Sequence, residues 1–169
     1  GEDLWVSQRA TRDDPWDTPR NLGATINTAA NERSPALSSN GRLLFFATDR
    51  TGGSGGFDIW MSWRADPRDD LAWEAPVNLG TGVNSSATDA GPSFLGPARW
   101  SRPGEWLSVG VVPQLFMASN RLGGVGGLDI YLATVPGGWF GPPLQIAELN
   151  SPHADLTPPL GDDEGHEGV

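Results

Sequence analysis

The sequence contains no cysteine and no lysine, and both absences limit what the protein can do. Without cysteine there is no disulfide framework, no thiolate metal site and no cysteine nucleophile. All 11 basic residues are arginine, and 21 acidic residues bring the net charge to −10. An acidic chain repels phosphate groups, so we expect no nucleic-acid partner. No apolar run is long enough to span a membrane, so we also expect no membrane insertion.

Long helical patterns are missing as well, which favours an all-β protein built from short strands. The 23 glycines and 15 prolines indicate frequent turns, whereas 8 tryptophans and 6 phenylalanines argue against a disordered chain. A length of 169 residues is typical of one domain with a real core. The chain opens on Gly1 without a signal peptide, so we expect a removed signal or a part of a longer protein.

The strongest positive feature is an internal repeat. Residues 44–61 read LFFATDRTGGSGGFDIWM and residues 115–132 read LFMASNRLGGVGGLDIYL. Each copy has two apolar, strand-like runs joined by a glycine-rich connection, which predicts a β-hairpin. The first residues, GEDLWVSQR, repeat the second half of this unit, with Asp3 aligned on Asp58. A repeat of this length is the best available guide to the fold.

A second set of repeated residues follows each hairpin. A tryptophan is followed after eleven residues by an asparagine, and that asparagine after eight residues by a proline. The three copies are Trp16–Asn27–Pro35, Trp73–Asn84–Pro92 and Trp139–Asn150–Pro158. We expect the three repeated tryptophans to lie in the core between the repeated units.

These residues together resemble the TolB-type, WD-like β-propeller repeat family, as found in TolB and in OmpA-linked envelope repeat proteins. The resemblance is carried by SPALSSNGRLLFFATDR, GGSGGFDIW and WEAPVNLGTGVNS, and by ASNRLGGVGGLDIY and FGPPLQIAELNS. It implies β-propeller repeats, in which four-stranded antiparallel blades pack around a central channel. Asn40-Gly41 stands where relatives of this repeat usually have Asp-Gly.

On this resemblance, residues 1–160 form a β-propeller repeat domain with an incomplete ring. About two full blades are expected, blade 34–91 and blade 92–157, and the second carries an insertion at 96–114. Partial blades are expected at both ends, with 1–33 as the first, and residues 161–169 form a disordered acidic tail. The chain is then a fragment, an open array, or a subunit that completes its ring by self-association with another copy.

Carboxylates are the most numerous candidate functional groups. Glu32, Asp89 and Asp155 occupy equivalent positions before each inner strand and are candidate ligand-binding residues around one mouth of the channel. A ring of acids is suited to a cation or to sugar hydroxyls. Equivalence across repeats is also what a structural role produces, and we favour that role.

Three tryptophans break the repeat, namely Trp63, Trp100 and Trp106, and are the better candidates for a ligand-binding surface. The turn between the hairpin strands contains other repeated side chains. We expect Asp58 and Asp129 to accept backbone N–H groups there, and Arg50 and Arg121 to pair with these aspartates. We expect no metal site, no cofactor and no catalytic residue, because no matching motif is present.

Three functions remain open at this point. The first is a non-catalytic binding or scaffold module that recognises protein or glycan. The second is a fragment of a glycosidase-like or lyase-like propeller enzyme that uses carboxylates at the channel mouth, and the third is a spacer. The resemblance alone implies a periplasmic or extracellular location in a bacterium.

Overall fold

The computed structural model describes residues 1–96, 112–135 and 139–156. The protein is all-β, as the composition predicted, and the described residues contain no α-helix and one short 3₁₀ turn, Ala147–Leu149. The strands are β1 (Trp5–Val6), β2 (Arg20–Asn21), β3 (Glu32–Leu37), β4 (Leu43–Thr48), β5 (Asp58–Trp63), β6 (Val77–Asn78), β7 (Asp89–Leu95), β8 (Gln114–Ser119), β9 (Asp129–Thr134) and β10 (Leu144–Gln145).

The strands form three antiparallel sheets in chain order. Sheet 1 contains β1 and β2, sheet 2 contains β3 to β6, and sheet 3 contains β7 to β10. Within sheets 2 and 3 each strand pairs with the next one along the chain. The outer strand is shorter than the sequence suggests. Within the WEAPVNLG segment, Val77 and Asn78 form the strand, and Glu74 and Leu79 each add a single backbone bond to β5.

The repeat extends to irregular details of the backbone. The turn between β3 and β4 contains Gly41, whose φ of 66° is easily adopted only without a side chain. β3 and β7 also share a bulge after their second residue. Ser34 in the first bulge has a φ of 52°, and Gly91 in the second has a φ of 57°. The two inner strands therefore follow the same path despite different residues.

The apolar core lies in two layers between the sheets. Strand alternation directs Leu43 and Phe45 of β4 to the layer between sheets 2 and 3, and Leu44 and Phe46 to the layer between sheets 1 and 2. All six β4 residues are buried. In β5, Ile59 lies in the first layer and Trp60 packs against the second, as the alternating pattern predicted.

The glycine-rich connections hold neighbouring units together. The Gly56 N–H donates to the Ala87 carbonyl at 2.9 Å, and the Gly127 N–H donates to the His153 carbonyl at 3.3 Å. A Cβ on Gly55 would overlap the same Ala87 oxygen. Besides shaping a turn, these glycines allow one hairpin to approach the segment that enters the next unit.

Candidate functional site

The repeated asparagines bind backbone groups in β5, in β9 and at Leu4, the residue directly before β1. Asn84 accepts the Ile59 N–H and donates to the Ile59 carbonyl, both at 2.9 Å. Asn27 makes the same two bonds to Leu4, at 2.8 and 2.9 Å. Asn150 makes them to Ile130, at 2.6 and 3.1 Å. One side chain thus imitates a neighbouring strand where the short outer strand has ended.

The repeated acids fix the loop that follows each asparagine. Asp89 is fully buried and accepts the N–H and hydroxyl of Ser85, at 2.6 and 2.8 Å. Glu32 is 1 % exposed and accepts the corresponding groups of Thr28, at 2.9 and 2.7 Å. The backbone N–H of Asp89 donates to the Phe57 carbonyl in the preceding sheet at 2.7 Å. These acids therefore join the loop to two sheets.

The predicted pairing of Arg50 with Asp58 and of Arg121 with Asp129 is wrong. Arg121 binds Asp89 at 2.6 Å and the Val83 carbonyl at 2.8 Å. Arg50 binds Glu32 at 3.2 Å in the same way. Strand pairing explains the choice, because Glu32 lies opposite Thr48, two residues before Arg50.

Burial lowers the pKa of Arg50, and the neighbouring Glu32 carboxylate opposes that shift. The guanidinium therefore depends on Glu32 to offset the loss of water around its charge. It also lies over the rings of Phe46 and Trp60, with its central carbon 5.1 Å from each centroid.

The hairpin aspartates accept bonds from the glycine-rich turn. Asp58 accepts the Ser54 N–H and the Asn78 side-chain amide, and its other carboxylate oxygen is buried without a protein partner. Asp129 accepts the Val125 N–H at 3.0 Å. Both aspartates are fully buried.

The three candidate ligand-binding acids do not form an accessible ring. Glu32 and Asp89 are buried and occupied by the chain's own donors, so a ligand cannot reach their oxygens in this conformation. Asp155 is only half-buried, and Ser151 is its donor, at 2.7 Å from the N–H and 3.1 Å from the hydroxyl. Among the described residues it has no arginine partner.

The burial of the tryptophans differs in part from the expectation. Trp63 is half-buried and packs against the core layer between sheets 2 and 3. Of the repeated tryptophans, Trp73 is buried as expected, but Trp16 is 62 % exposed and carries Arg9 over its ring. Trp100 and Trp106 lie outside the described residues, as do most of the insertion at 96–114 and the acidic tail at 161–169.

An open groove lies between sheets 1 and 2. It encloses about 400 Å³. We call it the β1 groove; its apolar lining is Leu4, Trp5, Val6, Leu22, Pro35, Leu37, Leu44 and Trp73. Its floor is the core layer between the two sheets, but Leu37 on its wall is 52 % exposed. Sequence reasoning missed this groove, because it arises from the packing of two sheets and not from a motif.

A buried carboxylate closes one end of the β1 groove. Asp70 accepts Gln8 at 2.8 Å and Arg20 at 2.6 Å from sheet 1, and Arg64 at 3.3 Å from sheet 2. The Arg64 guanidinium also stacks 4.4 Å above the Trp73 ring. Asp70 therefore fixes the two sheets at this end and leaves the groove open elsewhere.

The described part of the chain has neither a metal-binding cluster nor a membrane-spanning helix. It contains no group of three or more His, Asp or Glu side chains placed to hold a metal ion. It also contains no helix long and apolar enough to cross a membrane.

The exposed carboxylate of Asp49 accepts the backbone N–H and side-chain amide of Asn31, both at 2.8 Å, and these bonds lower its pKa.

We predict that Asn84→Ala destabilises the fold by about 1–3 kcal/mol, because it leaves the buried N–H of Ile59 without a partner, whereas the Ile59 carbonyl keeps the Leu79 N–H. Urea denaturation measures the free energy of unfolding. The matched control is Asn150→Ala, whose half-buried site admits water, so its loss should be smaller. Equal losses, or a loss below about 1 kcal/mol for Asn84→Ala, would contradict the structural role of this side chain.

Asp49→Asn should lower stability at neutral pH and cease to matter in acid. Because the folded-state pKa of Asp49 is lowered, its contribution is present above the unfolded pKa. It is lost as the pH falls through the folded-state value. Denaturation of both proteins at several pH values should therefore give curves that converge in acid, whereas a constant separation down to the lowest pH would disprove the effect.

Comparison with family models, with curated proteins and with solved structures found no match for this chain. The account of its function therefore rests on the repeats and on the geometry of the described residues.

Proposed function

We propose that the chain is a non-catalytic β-propeller module that binds protein or glycan as a recognition or scaffold unit. The observation that carries the proposal is the contrast between the acids and the β1 groove. The carboxylates of Glu32 and Asp89 are buried and hydrogen-bonded to the chain's own donors, whereas the groove presents open apolar surface. Recognition surfaces are commonly concave and largely apolar, with a few fixed polar groups.

The propeller arrangement is supported by the equivalence of the sheets. Each repeated asparagine and acid makes the same bonds in its own unit, so successive units are placed by the same contacts. In a closed or open propeller, each unit must pack on the next through the same contacts. A periplasmic or extracellular location in a bacterium is part of the proposal and is supported by the family resemblance alone.

The second candidate is a fragment of a glycosidase-like or lyase-like enzyme. Of the acids that such an enzyme would use, only Asp155 is even half-exposed among the described residues. Hydrolysis of a glycosidic bond normally requires two carboxylates on opposite sides of the bond. The buried positions of Glu32 and Asp89 therefore favour binding over catalysis.

We expect the module to bind at least one component of an oligosaccharide array or a peptide array without turning over any polysaccharide in a hydrolase and lyase panel. Asp155→Asn should leave the panel unchanged, and Glu148→Gln is its control because Glu148 is an exposed acid that has no acidic counterpart in the other units. Polysaccharide cleavage that Asp155→Asn abolishes and Glu148→Gln preserves would overturn the proposal. Absence of binding on both arrays would also count against it.

Self-association is the way in which we propose that the ring is completed. Among the described residues sheet 1 has only two strands, and Trp5 on its face is 58 % exposed, so a second copy has a surface to cover. Sedimentation equilibrium over a range of concentrations should give the mass of a dimer, and Trp5→Asp should shift it toward the monomer. Trp16→Asp is the control, since Trp16 is equally exposed but lies in the loop between β1 and β2. A monomer at all concentrations would contradict this part.

A further inference from the structure

A second open pocket lies between the first halves of β3 and β7, which are edge strands of sheets 2 and 3 among the described residues. It encloses about 420 Å³, and we call it the inner pocket. Residues 33–35 form one wall and residues 90–93 the other, while Leu156, in the segment that begins the next unit, borders it as well. Three successive units of the described chain therefore contribute to its lining.

The two edges that face the inner pocket are shaped against pairing with another strand. β3 and β7 both bulge after their second residue, and a proline stands within each bulge, Pro35 in β3 and Pro92 in β7. A proline has no N–H to donate, and a bulge interrupts the row of backbone groups that an added strand would need. The inner pocket is therefore suited to a small chemical group and not to an extended chain.

The pocket is shaped by a position at which the repeat changes. Arg33 in β3 and Ala90 in β7 hold the same place in their sheets. The Arg33 guanidinium lies over the Phe57 ring, with its central carbon 3.5 Å from the centroid. In the next unit Ala90 and Leu128 hold these two places, and both line the pocket. The shorter side chain of Ala90 leaves room beside Leu128, so a cation on one wall faces an aliphatic floor.

The Arg33 guanidinium has no ion-pair partner among the described residues. No acidic side chain lines the inner pocket. The carboxylate of Asp49 accepts both donors of Asn31 at 2.8 Å; these bonds lower its pKa, and the charge of Arg33 adds to that shift. The exposed hydroxyl of Ser34, next to Arg33, makes no hydrogen bond to the described chain. Two donors on this wall are therefore open to a ligand.

We infer that the inner pocket binds the carboxylate of a small aliphatic acid, with Arg33 as its ion-pair partner and the floor around Ala90 and Leu128 as the site of its hydrocarbon body. A guanidinium can donate two parallel N–H bonds to one carboxylate. A phosphate dianion suits the site less, because one arginine does not offset its charge and the chain has a net charge of −10. The inference rests on the proposed function and deepens it by naming the chemical class of the ligand.

An aliphatic body suits the inner pocket better than a sugar ring. Apart from Arg33, the side chains that line it carry only the hydroxyls of Ser34 and Ser93 as polar groups, and Ser93 is buried. A sugar would bury several hydroxyl groups, each of which needs a hydrogen-bond partner. An aliphatic carboxylate occurs both as a free acid and at the C-terminus of a peptide that ends in leucine, so the test includes a ligand of each kind.

The probe is isocaproate, titrated into the full chain while the backbone amide shifts are followed by NMR. The amides of Ser34, Ala90 and Ser93 should shift, whereas that of Leu4, in the layer between sheets 1 and 2, should not. Isocaproamide has the same body without the charge and should bind at least about ten-fold more weakly. Acetate keeps the charge without the body and should also bind at least about ten-fold more weakly.

N-Acetylleucine distinguishes the two sources of the ligand, because it joins the carboxylate and body of isocaproate to a peptide group. Tighter binding than that of isocaproate assigns the site to the C-terminus of a peptide. Weaker binding assigns it to a free acid. Either result supports a carboxylate site, provided that the amides of Ser34 and Ala90 shift in both titrations.

Variants of the protein test the two walls separately. Arg33→Gln should weaken isocaproate binding at least about ten-fold, and Arg33→Lys about three-fold, because lysine keeps the charge without the planar fork. Arg68→Gln is the control, since Arg68 is largely exposed and pairs with Asp66 outside the pocket. Ala90→Leu should weaken binding at least about ten-fold by filling the floor. The strand accepts a larger side chain there, because the equivalent position in β3 carries an arginine.

Equal binding of isocaproate and isocaproamide, unchanged binding by Arg33→Gln, or no shift of the pocket amides at millimolar isocaproate would each overturn the inference. These outcomes leave the proposed function testable on its own. If the chain binds an array component without cleaving polysaccharide while no carboxylate binds, the inner pocket is wrong and the binding module stands. If cleavage depends on Asp155, the proposed function is wrong even where isocaproate binds.

Discussion

The repeated asparagine side chain, which binds the backbone of Leu4, Ile59 or Ile130, is the contact on which the repeated structure depends. The outer strands are only two residues long, so the backbone groups beyond them need another partner in a dry interior. Asn27, Asn84 and Asn150 supply one donor and one acceptor each, in the spacing that a neighbouring strand would offer. The chain can then leave the sheet early and start the next unit. The acid that follows, at position 32, 89 or 155, accepts a backbone N–H of the loop between the two units and so fixes that loop.

These contacts explain why the Glu32 and Asp89 carboxylates are closed to a ligand in this conformation. The buried acids and their arginines hold loops to sheets, and removing one partner would leave a buried charge without compensation. What remains for recognition is surface that the repeat leaves uncovered. The β1 groove is such a surface, since a side chain like Phe45 covers the equivalent position in the next layer.

Much of the architecture follows from the sequence because each local pattern occurs in more than one copy of the repeat. The all-β class, the β3–β4 turn at Asn40-Gly41 and the opposite directions of Ile59 and Trp60 were all predicted from local patterns. The partner of Arg50 was not, because nearness along the hairpin favoured Asp58 whereas strand register places Glu32 beside it. Trp16 was also misplaced: its loop extends from a two-stranded sheet, and no neighbouring sheet covers it. The blades, their closure into a ring and the binding role remain proposals.

Amide hydrogen exchange measured residue by residue by NMR tests the central claim most directly. In sheet 2 the Ile59 N–H is bound by the Asn84 side chain, and the Asp89 N–H crosses from sheet 3 to the Phe57 carbonyl. If repeated units are joined by these contacts, both amides should exchange as slowly as those in the middle of β4, near the limit set by global unfolding. Exchange of either amide at the rate of an unfolded chain, while β4 stays protected, would contradict the account.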